Sequence, residues 1–140
     1  MSPPGVGKNA ADYPTAANSM KKILIVDDSP TMRRMVMASL RDLRDVSFDE
    51  AGSGLEALER LALSPVDLIL LDLNMPDVHG IEVLEFLRKH EIYRAMPVII
   101  LTTRGDDQSR SAALRNGVAA YLTKPFLPSV LASQVRQLLN

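Results

Sequence analysis

Leu68-Ile69-Leu70-Leu71 is four consecutive large aliphatic residues that run directly into Asp72 and the turn-forming Asn74-Met75-Pro76-Asp77. A strand that is apolar on both faces must be covered on both sides, which restricts the chain to a parallel sheet sandwiched between helices. Asp72 then stands at a strand's carboxyl end, where open α/β sheets keep their ligand sites, or else it caps the turn that follows. The rest of the chain decides between these two roles.

The same pattern recurs. Ile23-Leu24-Ile25-Val26 ends in Asp27-Asp28, Pro97-Val98-Ile99-Ile100-Leu101 ends in Thr102-Thr103, and Ala119-Ala120-Tyr121-Leu122 ends in Thr123-Lys124-Pro125. Val46 to Ala51 is less uniformly apolar and reads as an edge strand. Helical spacing lies between these runs. Ser29 as N-cap with Pro30 after it opens a helix whose core stripe is read as Met32, Met35, Val36, Leu40 and Leu43. Leu55, Leu58, Leu61 and Ala62 mark a second helix, and Ile81, Leu84 and Leu87 a third. A short fourth helix spans about Asp107 to Asn116 and stops at Asn116-Gly117; the last carries Leu131, Val135 and Leu138.

Five strands alternating with five helices predict an α/β, doubly wound (βα)5 flavodoxin-like parallel sheet in the order 2-1-3-4-5. A chain of 140 residues with no Cys has room for one core without disulfides, and thiol chemistry and Cys-based zinc sites are excluded. Lys+Arg 16 against Asp+Glu 17 gives no global field for nucleic acid or a membrane surface. Residues 1–20, rich in Pro, Gly, Ala and Asn, read as a disordered lead or a cloning remnant, with Met20 as an internal natural start and residues 21–140 as the folded domain.

In this topology Asp27, Asp28, Asp72, Thr102 and Lys124 converge from four strand ends. Each alone has a plainer role: acids at a helix N-terminus, a helix-capping Thr, a solvated Lys. Together, three carboxylates in one crevice need a cation, and an oxygen-rich, Cys-free cluster suits Mg²⁺. Lys124 precedes Pro125, so its backbone is extended or the bond is cis, and its ammonium reaches back to offset Asp72.

The motifs VDDS, LLDLNMPDVHG, IILTT and YLTKPF, with DDSPTMRRMV in the first helix, give residues 22–140 a clear resemblance to the receiver domain of two-component response regulators, nearest the stand-alone chemotaxis type. That type is a well-known example of the same strand order. The resemblance implies that Asp72 accepts a phosphoryl group from a phosphohistidine on a histidine kinase. It implies Mg²⁺ held by Asp27, Asp28, Asp72 and the Asn74 carbonyl, with Lys124 sharing the phosphoryl charge. Thr102 then swings inward to the phosphate and Tyr121 turns after it, reshaping the face of the fourth helix, fifth strand and fifth helix. It further implies a cytoplasmic monomer or weak homodimer that is no enzyme beyond its own phosphotransfer and dephosphorylation. Its output would be read by a protein such as a flagellar motor switch component, with no nucleic acid or membrane partner.

Several residues depart from or vary within the family pattern. Thr103 replaces a small residue and is expected to restrict Tyr121. His79 takes the place of a frequent acid and is expected in solvent. Arg104 and Asn74 stand where the family tunes hydrolysis. Competing readings are a receiver cut from a larger regulator, an Asp-nucleophile phosphatase, which wants a second Asp where Asn74 stands, and an FMN binder, whose phosphate the acidic crevice would repel.

Overall fold

A computed structural model describes residues 20–103 and 107–140. Five parallel strands, β1 (Lys21–Val26), β2 (Val46–Ala51), β3 (Leu68–Leu71), β4 (Val98–Thr102) and β5 (Ala120–Thr123), lie in the order 2-1-3-4-5. Helices α1 (Pro30–Ser39), α2 (Gly54–Leu63), α3 (Gly80–Lys89), α4 (Asp107–Arg115) and α5 (Pro128–Leu139) connect and follow them. The N-terminal lead and Arg104 fall outside the described residues.

The most apolar runs take the centre because both their faces are covered. β3 and β4 are buried at every position, whereas β2 is half-buried along most of its length. Successive side chains alternate between two cores. Leu24, Val26, Ile69, Leu71 and Ile100 pack on one face with Ala57, Leu61, Val83, Leu84, Leu87 and Ala113, which come from α2, α3 and α4. Ile23, Ile25, Leu68, Leu70, Ile99 and Leu101 pack on the other with Val36 and Leu40 of the α1 segment and Leu131 and Val135 of α5.

Helix starts follow local chemistry. Ser29 Oγ accepts from the Met32 N–H with Pro30 at the first helical position, and Ser53 Oγ accepts from the Glu56 N–H. The helix faces differ in detail from the sequence reading. Met35 and Leu55 are exposed, at 53% and 54%, because the buried stripes run through Val36 and Leu40 on α1 and through Gly54, Ala57 and Leu61 on α2. Ala62 is also exposed, and Val83 joins Leu84 and Leu87 in the core.

His79 is half-buried rather than in solvent. It is the N-cap of α3: its Nδ1 accepts from the Ile81 N–H at 3.2 Å while Glu82 Oε1 accepts from the His79 N–H at 3.1 Å. That arrangement uses the Nε2–H tautomer. Where α4 meets β5, Gly117 takes a positive φ of 69° to turn the chain. Arg88 pins that corner by donating to the carbonyls of Asn116, Gly117, Arg94 and Met96, and burial pushes its guanidinium below the ordinary value.

Candidate functional site at the carboxyl edge of the sheet

The connections leaving β1 and β3 diverge to opposite sides of the sheet, which opens a crevice between these neighbouring strand ends. Their register fixes what faces it. Val26 pairs with Leu71, so Asp27 and Asp72 emerge side by side, and the Asp72 N–H continues the ladder to the Val26 carbonyl at 2.9 Å. Thr102 pairs with Thr123, and the Lys124 N–H donates to the Thr102 carbonyl at 2.8 Å. The Lys124–Pro125 bond is cis. All five residues expected from the sequence therefore meet here.

Asp27 and Asp72 are buried, at 4% and 5% exposure, and Thr102 is completely buried. Asp28 is exposed at the rim, yet carboxylate oxygens of Asp27, Asp28 and Asp72 all lie within 4.8 Å of one another. Lys124 Nζ sits 2.7 Å from Asp27 Oδ2 and 3.5 Å from Asp72 Oδ2. The ammonium reaches across the sheet as expected, but its shorter bond is to Asp27. The three carboxylates form a group that could hold a metal ion, and their all-oxygen chemistry suits a hard cation, bound directly or through water.

Thr102 differs from expectation. It is already turned inward, donating from Oγ1 to Asp72 Oδ1 at 2.9 Å. An ionised acceptor in a buried crevice is sufficient reason, since charge-assisted bonds are the stronger ones. Asn74 holds the arrangement from above: its N–H donates to Asp72 Oδ1 at 3.1 Å, and its Nδ2 donates to Thr102 Oγ1 at 3.1 Å and Thr103 Oγ1 at 3.0 Å. The polar contact of Thr103 is thus the Asn74 amide at the mouth of the site. Tyr121 is half-buried against the α2–α4 core, with the Arg110 guanidinium 5.2 Å from its ring centroid.

Two residues to which sequence reasoning gave no part in the site position the loop after β3. Asp77 accepts from the N–H groups of Gly54 and Leu55, both at 3.2 Å, and so ties the loop after β3 to the start of α2. Gly80 packs so closely that a Cβ there would lie 2.6 Å from the Asp72 carbonyl oxygen and from Leu73 Cα. An acid before a helix start is a signal, but its target lies 23 residues back in the chain.

Desolvation alone would raise the Asp77 carboxyl; the N–H groups of Leu55, Gly54, Val78 and Asp77 itself outweigh it and hold the group below the usual 3.8. Between the lowered folded value and 3.8 the unfolded chain binds the proton more readily. Asp77 thus contributes its full stabilisation above pH 3.8 and loses it as pH falls through the folded value. In acid titrations followed by circular dichroism, Asp77→Asn is expected to show a shallower loss of stability over that window than the wild type.

No helix of the described residues is long and apolar enough to cross a membrane. The family model for the response regulator receiver domain matches residues 23–136. A chemotaxis protein CheY homolog of Campylobacter jejuni is 38% identical over 120 residues, covering 85% of this chain and 92% of that protein. Chemotaxis protein CheY1 of Helicobacter pylori is 36% identical, covering 85% and 97%. Among solved structures, chemotaxis protein CheY4 of Vibrio cholerae superposes with a TM-score of 0.76 at 32% identity, covering 85% of this chain and 98% of that one. The Mn²⁺-bound form of response regulator Rcp1 gives 0.73 at 33%, covering 84% and 90%. With its strand order, its acidic crevice and these relatives in agreement, the chain belongs to the response regulator receiver domain family.

Proposed function

We propose that this receiver takes a phosphoryl group on Asp72 from a phosphohistidine of a histidine kinase and signals through the surface of α4, β5 and α5. The observation that carries the reading is the asymmetric holding of Asp72. Its Oδ1 accepts from the Asn74 N–H and Thr102 Oγ1, which aims the carboxylate, while Oδ2 has only Lys124 at 3.5 Å among the described residues. Oδ2 is the oxygen left to attack phosphorus. The O–P bond forms as the N–P bond of the donor breaks, and the departing imidazole takes up a proton. Little acid or base help is needed, because phosphoryl transfer is governed by positioning and charge neutralisation.

Asp27, Asp28, Asp72 and the Asn74 carbonyl would hold Mg²⁺. When bound, the ion would offset charge on the phosphoryl oxygens. Lys124 supplies a second, fixed positive charge, and Thr102 is already aimed to donate to a new phosphoryl oxygen. Transfer is a single self-catalysed event, ended when water cleaves the acyl phosphate and releases inorganic phosphate, rather than turnover of a free substrate. The Asn74 amide, whose N–H groups are donated to two Thr hydroxyls, is too weak an acid to protonate a leaving group, which disfavours a phosphatase.

The names of the relatives support a role in chemotaxis; we further propose that the chain acts in the cytoplasm as a monomer or weak homodimer whose phosphorylated face is bound by a component such as a flagellar motor switch protein. Incubation with a small acyl phosphate tests the chemistry. One phosphoryl group per chain is expected with Mg²⁺ and essentially none with chelator; sustained hydrolysis of unrelated phosphomonoesters would contradict the proposal.

A further inference from the structure

Among the three crevice acids, Asp28 alone has a carboxylate with no hydrogen-bond or ion-pair partner among the described residues. Asp27 is held by Ser29 N–H at 2.9 Å and Lys124 at 2.7 Å, and Asp72 by Thr102, Asn74 and Lys124. With no partner to hold its side chain, only the backbone, beginning with the Asp27–Asp28 peptide, limits where the Asp28 carboxylate can reach. That peptide is gripped by one side chain. Arg33, on the first turn of α1, donates from Nη1 to the Asp27 carbonyl at 2.6 Å and from Nε to Glu50 Oε1 at 2.8 Å. The Arg33 side chain is only 16% exposed, with its Nη1 lying beside Gly52.

The geometry points to Arg33 as a positioning residue for the cation, a role that rests on the metal reading above. Its fork ties β2, through Glu50, to the carbonyl that orients Asp28, and so presents the rim carboxylate to the site without touching it. The fork shape is essential. The two bonds leave from different nitrogens, Nε and Nη1, held apart by the rigid guanidinium plane, a spacing that the single nitrogen of a Lys at this position does not reproduce. Charge alone gives the opposite sign, because a fixed cation beside the crevice repels a second one, and removing it would tighten Mg²⁺ binding.

These opposed signs make the role testable by calorimetric titration of the full chain with Mg²⁺. Arg33→Met and Arg33→Lys are both expected to weaken binding roughly tenfold, the lower range for residues that support metal ligands. Arg34→Met, which removes a neighbouring exposed Arg whose side chain bonds only Thr31 among the described residues, is expected to leave affinity unchanged. In the metal-free protein, Arg33→Lys is also expected to shift the amide resonances of Asp28 and Ser29 while those of β3 stay in place. Wild-type affinity in Arg33→Lys, or tighter binding in Arg33→Met, would overturn the positioning role. Should Arg33→Met fail to fold, Arg33→Lys decides alone. A wild-type protein that binds no Mg²⁺, or an Asp28→Asn variant that binds as tightly as wild type, would instead overturn the metal reading and this role with it.

Discussion

Lys124→Met is expected to lower stability by about 3 kcal/mol at neutral pH and low Mg²⁺, and to slow phosphoryl uptake on the order of a hundredfold. The Lys124 side chain is only 10% exposed, and its Nζ lies 2.7 Å from Asp27 and 3.5 Å from Asp72, both of them buried. Met fills a similar volume but leaves two adjacent carboxylates without their shared partner. Breaking such a pair costs more than the pair contributes, since the desolvated charges remain. Saturating Mg²⁺ is expected to recover much of the stability while uptake stays slow, because the charge supplied by Lys124 at the phosphoryl group is not replaced. Urea unfolding with and without Mg²⁺, and single-turnover labelling, measure the two effects separately.

Gly80→Ala is expected to cost about 2 kcal/mol and to reduce phosphoryl uptake by about tenfold or more. The added methyl would meet the Asp72 carbonyl oxygen and Leu73 Cα at 2.6 Å, and both are backbone atoms at the end of a buried strand. Neither can rotate away as a flexible side chain would. Relief requires α3 to lift or the end of β3 to move, and the second option displaces the nucleophile. A matched loss of stability and uptake is the expected result; a loss of stability with normal uptake would mean that the helix absorbs the strain.

How much of this was legible in the sequence follows from what each feature depends on. Strand order and the convergence of Asp27, Asp72, Thr102 and Lys124 were readable, because apolar runs ending in polar residues define strand ends and connection rules leave few ways to order them. Helix faces were read less well. Spacing places Val36, Leu40 and Leu61 inward, as the structure has them, but also Met35 and Leu55, which are exposed, while Gly54 and Ala57, small residues that hydrophobic spacing does not mark, complete the contact of α2. The inward Thr102, the bond of Thr103 to Asn74 and the cap role of His79 depend on rotamers that no spacing specifies. Asp77, Arg33 and Arg88 act on backbone groups of other segments, and a backbone partner leaves no trace in side-chain identity.

The central claim is that Asp72 is the group whose charge state the site exists to change. Reaction with a small acyl phosphate and Mg²⁺, followed by peptide mass spectrometry after chemical trapping of the acyl phosphate, tests it most directly. A single label is expected at Asp72, and none in an Asp72→Asn variant that keeps its fold. Equal labelling of that variant, or a label on Asp27 or Asp28 in the wild type, would contradict it.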